Sequence, residues 1–83
     1  MNTLTTNWED EENNRRIELL VEYRLAGNDV VIDSVTPLSV TFVDRQVRVW
    51  TQRGRQLLAQ TVDRVAGLEW VKSQVLEAVA AAA

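Results

Sequence analysis

The hydrophobic period changes once along this chain, and that change limits the folds open to it. From about residue 16 to residue 51, apolar side chains tend to fall at every second position. From Gly54 onward they recur every three or four. Alternation belongs to a half-buried strand, and the wider spacing to an amphipathic helix. Strands and then helix, in that order, point to an α+β domain.

Residues 16–25, RIELLVEYRL, put Ile17, Leu19, Val21, Tyr23 and Leu25 on one side and Glu18, Glu22 and Arg24 on the other, with Leu20 the exception. A helix would instead group Ile17, Leu20, Val21 and Leu25, but the strand agrees better with the pattern of residues 26–43. Ala26-Gly27-Asn28-Asp29 is a turn signal. After it the even positions Val30, Ile32, Leu38, Val40 and Phe42 are apolar. Facing Leu25 with Val30, Tyr23 with Ile32 and Ile17 with Leu38 keeps every pair on one side of the sheet, and a slip of one residue would flip the set. A second hairpin with its tip at Asp44-Arg45 pairs Phe42 with Val47, Val40 with Val49 and Leu38 with Thr51. Thr36-Pro37 is expected to bend or interrupt the long middle segment 30–43, because proline has no N–H to give a central strand.

The helical stripe runs through Leu57, Thr61, Val65, Leu68, Val71, Val75 and Val79, widened by Leu58, Val62 and Leu76. One helix over residues 55–80 would be about 39 Å long at 1.5 Å per residue. That overhangs three strands, so a break near Gly67 or a second subunit is expected. The expected architecture is a three-stranded antiparallel β-meander covered on one face by a C-terminal helix, or by a helix pair broken near Gly67. Residues 1–15 have no apolar period, with Leu4 and Trp8 isolated among polar and acidic residues. They read as an acidic flexible tail, with a short helix started at Asn7 as the other option. The single small domain is then 16–80, and 81–83 a frayed alanine end.

Composition removes several function classes. The chain of 83 residues has no Cys and no His. It therefore has no disulfide, no thiolate and no imidazole for proton transfer or metal ligation. No glycine-rich phosphate loop, nucleophile elbow or metal-ligand spacing is present. Glu18 and Glu22 lie about 13 Å apart along a strand at about 3.3 Å per residue, too far for a paired-carboxylate site. No catalytic residue, cofactor or metal is expected. No apolar run is long enough to span a membrane. The first residues lack a basic segment leading into an apolar one, so a cytoplasmic location is expected.

Charge is laid out in blocks. Residues 1–44 carry a net −6, residues 45–64 a net +4 from Arg45, Arg48, Arg53, Arg55 and Arg64 against Asp63, and residues 65–83 a net −1. Eight of the nine basic residues are Arg, which suits forked contacts to carboxylate and stacking on aromatic rings. On the third strand Arg48, Trp50 and Gln52 are expected to face away from the helix, beside Leu20, Val31, Val35 and Val43. A tryptophan rimmed by arginines is a plausible partner-binding surface, read here as Arg48, Trp50, Arg53 and Arg55. Its bland alternative is that another segment covers it. Arg53-Gly54-Arg55 at the helix start is a candidate anion site, against two arginines that merely face solvent. Trp8-Glu9-Asp10-Glu11-Glu12 reads as solvated tail, with docking into a basic groove as the sharper option. Trp70 reads as core edge or dimer contact.

The expected role is a non-catalytic protein-interaction module: an adaptor, assembly factor, inhibitor or regulatory subunit. A small nucleic-acid-binding protein using the same arginines is the alternative. A homodimer is expected because so small a core has no disulfide to reinforce it.

Overall fold

The computed structural model describes residues 2–82. Four strands and two helices run in order: β1 (Asn2–Asp10), β2 (Arg15–Ala26), β3 (Asp29–Thr41), β4 (Gln46–Arg48), α1 (Gln52–Val65) and α2 (Gly67–Ala82). The strands form one antiparallel sheet in chain order. The α+β class, the meander and the helix pair are as the periodicity indicates, but the sheet has four strands rather than three. Over residues 2–14 the expected tail is replaced by β1 and the turn after it, Arg15 already belongs to β2, and residue 1 lies outside the described residues. Ala81 and Ala82 belong to α2, and residue 83 of the expected frayed end lies outside the described residues.

β1 is a strand because Leu4, Thr6 and Trp8 alternate with Thr3, Thr5, Asn7 and Glu9. Its register sets Trp8 opposite Ile17 and Leu4 opposite Val21, so Trp8 is only 7% exposed. Asn14, at φ 52°, turns the chain back into β2. Asparagine tolerates this left-handed conformation better than most residues.

β3 departs from the simple alternation. Leu25 faces Val30 and Tyr23 faces Ile32 as expected, but Ile17 faces Val40 rather than Leu38. Register shifts between Glu22 and Tyr23 and between Glu18 and Leu19 leave Asp33 and Leu38 as extra residues in β3. Each bulge flips the side-chain parity. Between them Val35 and Pro37 turn to the helix side, opposite Val21 and Leu19. The second hairpin is likewise displaced. Val40 pairs with Val47, and the Phe42 amide donates to the Arg45 carbonyl at 2.7 Å, which puts the tip at Val43-Asp44 rather than Asp44-Arg45.

The helices cover one face of the sheet in two clusters. Trp8, Ile17, Leu19 and Val40 pack with Val62 of α1, and Val21, Tyr23 and Val30 pack with Val71 and Val75 of α2. Trp70 touches both clusters. The chain breaks between the helices at Gly67, whose φ is +82°. This resets the helical phase, so the stripe is not inherited whole. Leu58 and Val62 pack inward from α1 while Leu57 and Val65 stay exposed, as do Leu68 and Leu76 of α2. The break also removes the overhang that called for a second subunit. An added Cβ at Gly67 would meet nothing within 4 Å. Gly67→Ala is therefore expected to destabilise by backbone strain alone, about 1 kcal/mol net of the entropy lost by the unfolded chain. The urea midpoint should fall with an unchanged slope.

Candidate functional site

The arginine-rich segment comes after the second hairpin. β4 ends at Arg48, whose partner across the ladder is Ser39 on the open side of the sheet. Val49 turns inward against the Ile17 cluster and Trp50 turns outward, 76% exposed. Trp50 thus lies on the link into α1 and not on a strand face. The Arg48 guanidinium sits 5.6 Å from the Trp50 ring centroid, and Arg45 sits 5.3 Å from that of Phe42. Both are cation–π distances. Arg48 braces the exposed Trp50 ring and Arg45 the half-buried Phe42 ring.

Thr51 caps α1, its side-chain oxygen accepting from the Gly54 amide at 3.0 Å. A Cβ on residue 54 would come within 2.9 Å of that oxygen, so the cap needs glycine here. One first-turn amide of the candidate anion site is thereby engaged. Arg55 donates from Nε to the Val49 carbonyl at 3.3 Å, and Arg53 and Arg55 both lie exposed. Arg48, Trp50, Arg53 and Arg55 therefore come from one short length of chain, residues 48–55, at the outer end of the sheet.

The ion pairs divide the arginines into two groups. Arg15 pairs with Asp10, Arg16 with Glu9 and Arg24 with Asp33. These are the three arginines of the acidic N-terminal half. Among the described residues, none of Arg45, Arg48, Arg53, Arg55 and Arg64 has a carboxylate within ion-pair distance. The positive block seen in the sequence is not neutralised by folding.

A hollow of about 340 Å³ lies between the β1–β2 turn and the β3–β4 turn, with Glu9, Asp10, Arg15, Arg16 and Phe42 in its wall. Its two arginines are already paired with Asp10 and Glu9, and Glu11, also in the wall, has no ion-pair partner among the described residues, so the hollow offers no free positive charge. Asp10 is buried, 4% exposed, and one of its oxygens accepts from Arg15 Nε at 2.8 Å and Asn13 Nδ2 at 3.0 Å. Burial pushes its carboxyl pKa up, but those hydrogen bonds and the Arg15 charge outweigh it and hold the group below its ordinary value.

The expected outer apolar face is corrected in part. Val35 packs into the core, and Trp50 and Val43 lie off the ladder. Leu20 does sit on the open face, between Thr5 and Thr36. Val31, opposite Arg24, is there as expected too, and the rest of the face is mainly polar, with Glu9, Glu18 and Glu22 among its residues and none of the chain's five aromatic rings. Trp8, expected in a solvated or docking tail, is core. The sign of β1 that was available is Leu4, Thr6 and Trp8 at period two before an Asn13-Asn14 turn.

Among the described residues, no helix is long and apolar enough to cross a membrane. No family model matches the chain, and neither a curated protein nor a solved structure gives a significant match.

Proposed function

We propose that this chain is a non-catalytic protein-interaction module whose contact surface centres on Trp50 with Arg48, Arg53 and Arg55. One observation carries the reading: the tryptophan is three-quarters exposed against Arg48, in a stretch whose arginines have no carboxylate within ion-pair distance among the described residues. Keeping a large ring in water and leaving the arginines around it unpaired has no evident benefit to the isolated fold. Tryptophan and arginine are enriched at the energetic centres of protein interfaces. A partner that covers Trp50 and brings carboxylates to Arg53 and Arg55 would use both. The proposal places the module in the cytoplasm, where a cysteine-free chain forgoes no disulfide.

Nucleic acid is the alternative partner for the same arginines. Its claim is weakened by the open sheet face, which offers carboxylates and no ring on which a base could stack. The test is affinity capture of a partner from lysate on the tagged chain, with and without nuclease. A stoichiometric complex should survive nuclease, be lost with Trp50→Ala, and be kept with Arg24→Ala, whose side chain already holds Asp33. Capture that disappears on nuclease digestion, and falls steeply with salt, would establish the alternative. Capture indifferent to Trp50→Ala would remove this surface. Homodimerisation through the exposed helix residues Leu57, Val65 and Leu76 is a subsidiary proposal, read from the mass in solution.

A further inference from the structure

β3 is paired unequally on its two sides. β2 bonds to it along its whole length, whereas β4 covers only Ser39–Thr41, with one more bond from the Val49 amide to the Leu38 carbonyl at 2.9 Å. Leu38 is a bulge residue and Pro37 has no N–H, so the ladder to β4 stops there. From Asp29 to Pro37 the outer edge of β3 has no neighbouring strand among the described residues. The Val30 amide donates to Asp29 Oδ1 at 2.8 Å, but beyond it an edge without a neighbouring strand offers N–H and C=O groups as a template for another chain.

Two hollows lie along this edge. One of about 280 Å³ is walled by Val35, Thr36 and Pro37 and by Gln52, Arg55, Gln56 and Ala59 of α1. Thr36 and its neighbours Val35 and Pro37 face opposite sides of the sheet, so a space touching all three lies at the edge and not on either face. The other, about 210 Å³, runs from Val35 and Ala59 to Val62, Asp63, Gly67, Leu68 and Val71 and is mostly apolar. Val35 and Ala59 belong to both, so the two hollows adjoin, with an arginine in the wall of one and aliphatic side chains in the wall of the other.

We infer that the free edge of β3 accepts an extended segment of a partner protein as an added strand, with a carboxylate side chain at the Arg55 end and aliphatic side chains over Leu68 and Val71. Main-chain hydrogen bonds would give such a strand its affinity, and alternate side chains in the groove its specificity. The charge argument is that Arg55 has no carboxylate within ion-pair distance among the described residues. A second copy is the competing occupant, and protection of residues 30–36 that depends on protein concentration alone would identify it. Of the other strand edges left free among the described residues, that of β4 is only three residues long (Gln46–Arg48), and β1 has Leu4 as its one aliphatic residue, which packs inward. The inference rests on the interaction-module reading and names its partner class, but shares only Arg55 with the surface around Trp50.

The probe is a displayed library of random twelve-residue peptides, selected against the full chain. Enriched sequences should carry Asp or Glu and then alternating Val, Ile or Leu. A synthetic copy should slow amide exchange of residues 30–36. Its affinity should drop at least tenfold with Ala59→Arg, which fills the groove, and with Arg55→Glu, an exposed change that leaves the core alone. Trp50→Ala should not alter it. No enrichment, an enriched set without that pattern, or binding indifferent to both variants would overturn the inference. Concentration-dependent protection of 30–36 without peptide would also overturn it, in favour of a second copy. Loss of this edge binding with capture through Trp50 intact would leave the broader proposal standing, and the reverse result would remove that proposal alone.

Discussion

Trp8→Ala should destabilise the protein by about 3–5 kcal/mol, the usual range for deleting a large aromatic side chain from a core. Trp8 is 7% exposed and packs with Ile17, Leu19, Val40 and Val62, with Trp70 against the same cluster. Its removal would leave a cavity under the helices and loosen β1, an edge strand bonded only to β2. Small domains have about 5–15 kcal/mol in total, so the loss would be a large share. Urea unfolding gives the magnitude, and amide exchange of residues 3–9 gives the location. A cost under about 1 kcal/mol, outside the cavity range, would mean that β1 frays independently of the core.

Asp10→Ala is the next largest, at about 1–3 kcal/mol, because it strips a buried acceptor from Arg15 and Asn13. The acid dependence has a defined sign. The folded carboxyl is held below the ordinary aspartate value of about 3.9. A lowered folded pKa makes a stabilising contribution that is complete above the unfolded value. It is lost as pH falls below about 4 and on through the folded pKa. Between about pH 5 and about pH 2, the native chain should therefore lose more stability than Asp10→Ala does. Parallel acid curves for the two would show that the Arg15 pair contributes nothing.

How much was legible in the sequence depended on whether a pattern stayed in phase. β2 was readable because five apolar residues, Ile17 to Leu25, keep strict alternation, and the Gly27-Asn28 turn is flanked by Ala26 and Asp29 as paired residues. The helix break was readable because a single glycine interrupts an otherwise helical run. β3 was readable only at its start and end. Two inserted residues, Asp33 and Leu38, flip the parity and then restore it, so Val30 and Val40 fall on the expected side while Val35 does not. The hint was that the run of apolar even positions lapses at Ser34 and Thr36, with the odd Val35 apolar between them. β1 was hidden by composition: Thr6 occupies an inward position with no apolar signal, and the acids after Trp8 suggest a solvated tail. The arginine surface was legible as charge and aromatic content. Its lack of internal partners was not, because ion pairing depends on which residues the register brings together.

The order of elements in the chain is also their order in space, with one closure. Thr6 Oγ1 of the first strand donates to Gln74 Oε1 of the last helix at 3.2 Å, across 68 residues. Each strand can join its predecessor as soon as it leaves the ribosome, but the cover for Trp8 comes only with α1 and α2. At about 5–20 residues per second the helical segment takes about 2–6 seconds to make. For those seconds a nascent sheet would hold Ile17, Leu19 and Val21 against water on one face. The topology that makes pairing local thus also gives this small protein a window in translation when its greasiest surface is unguarded.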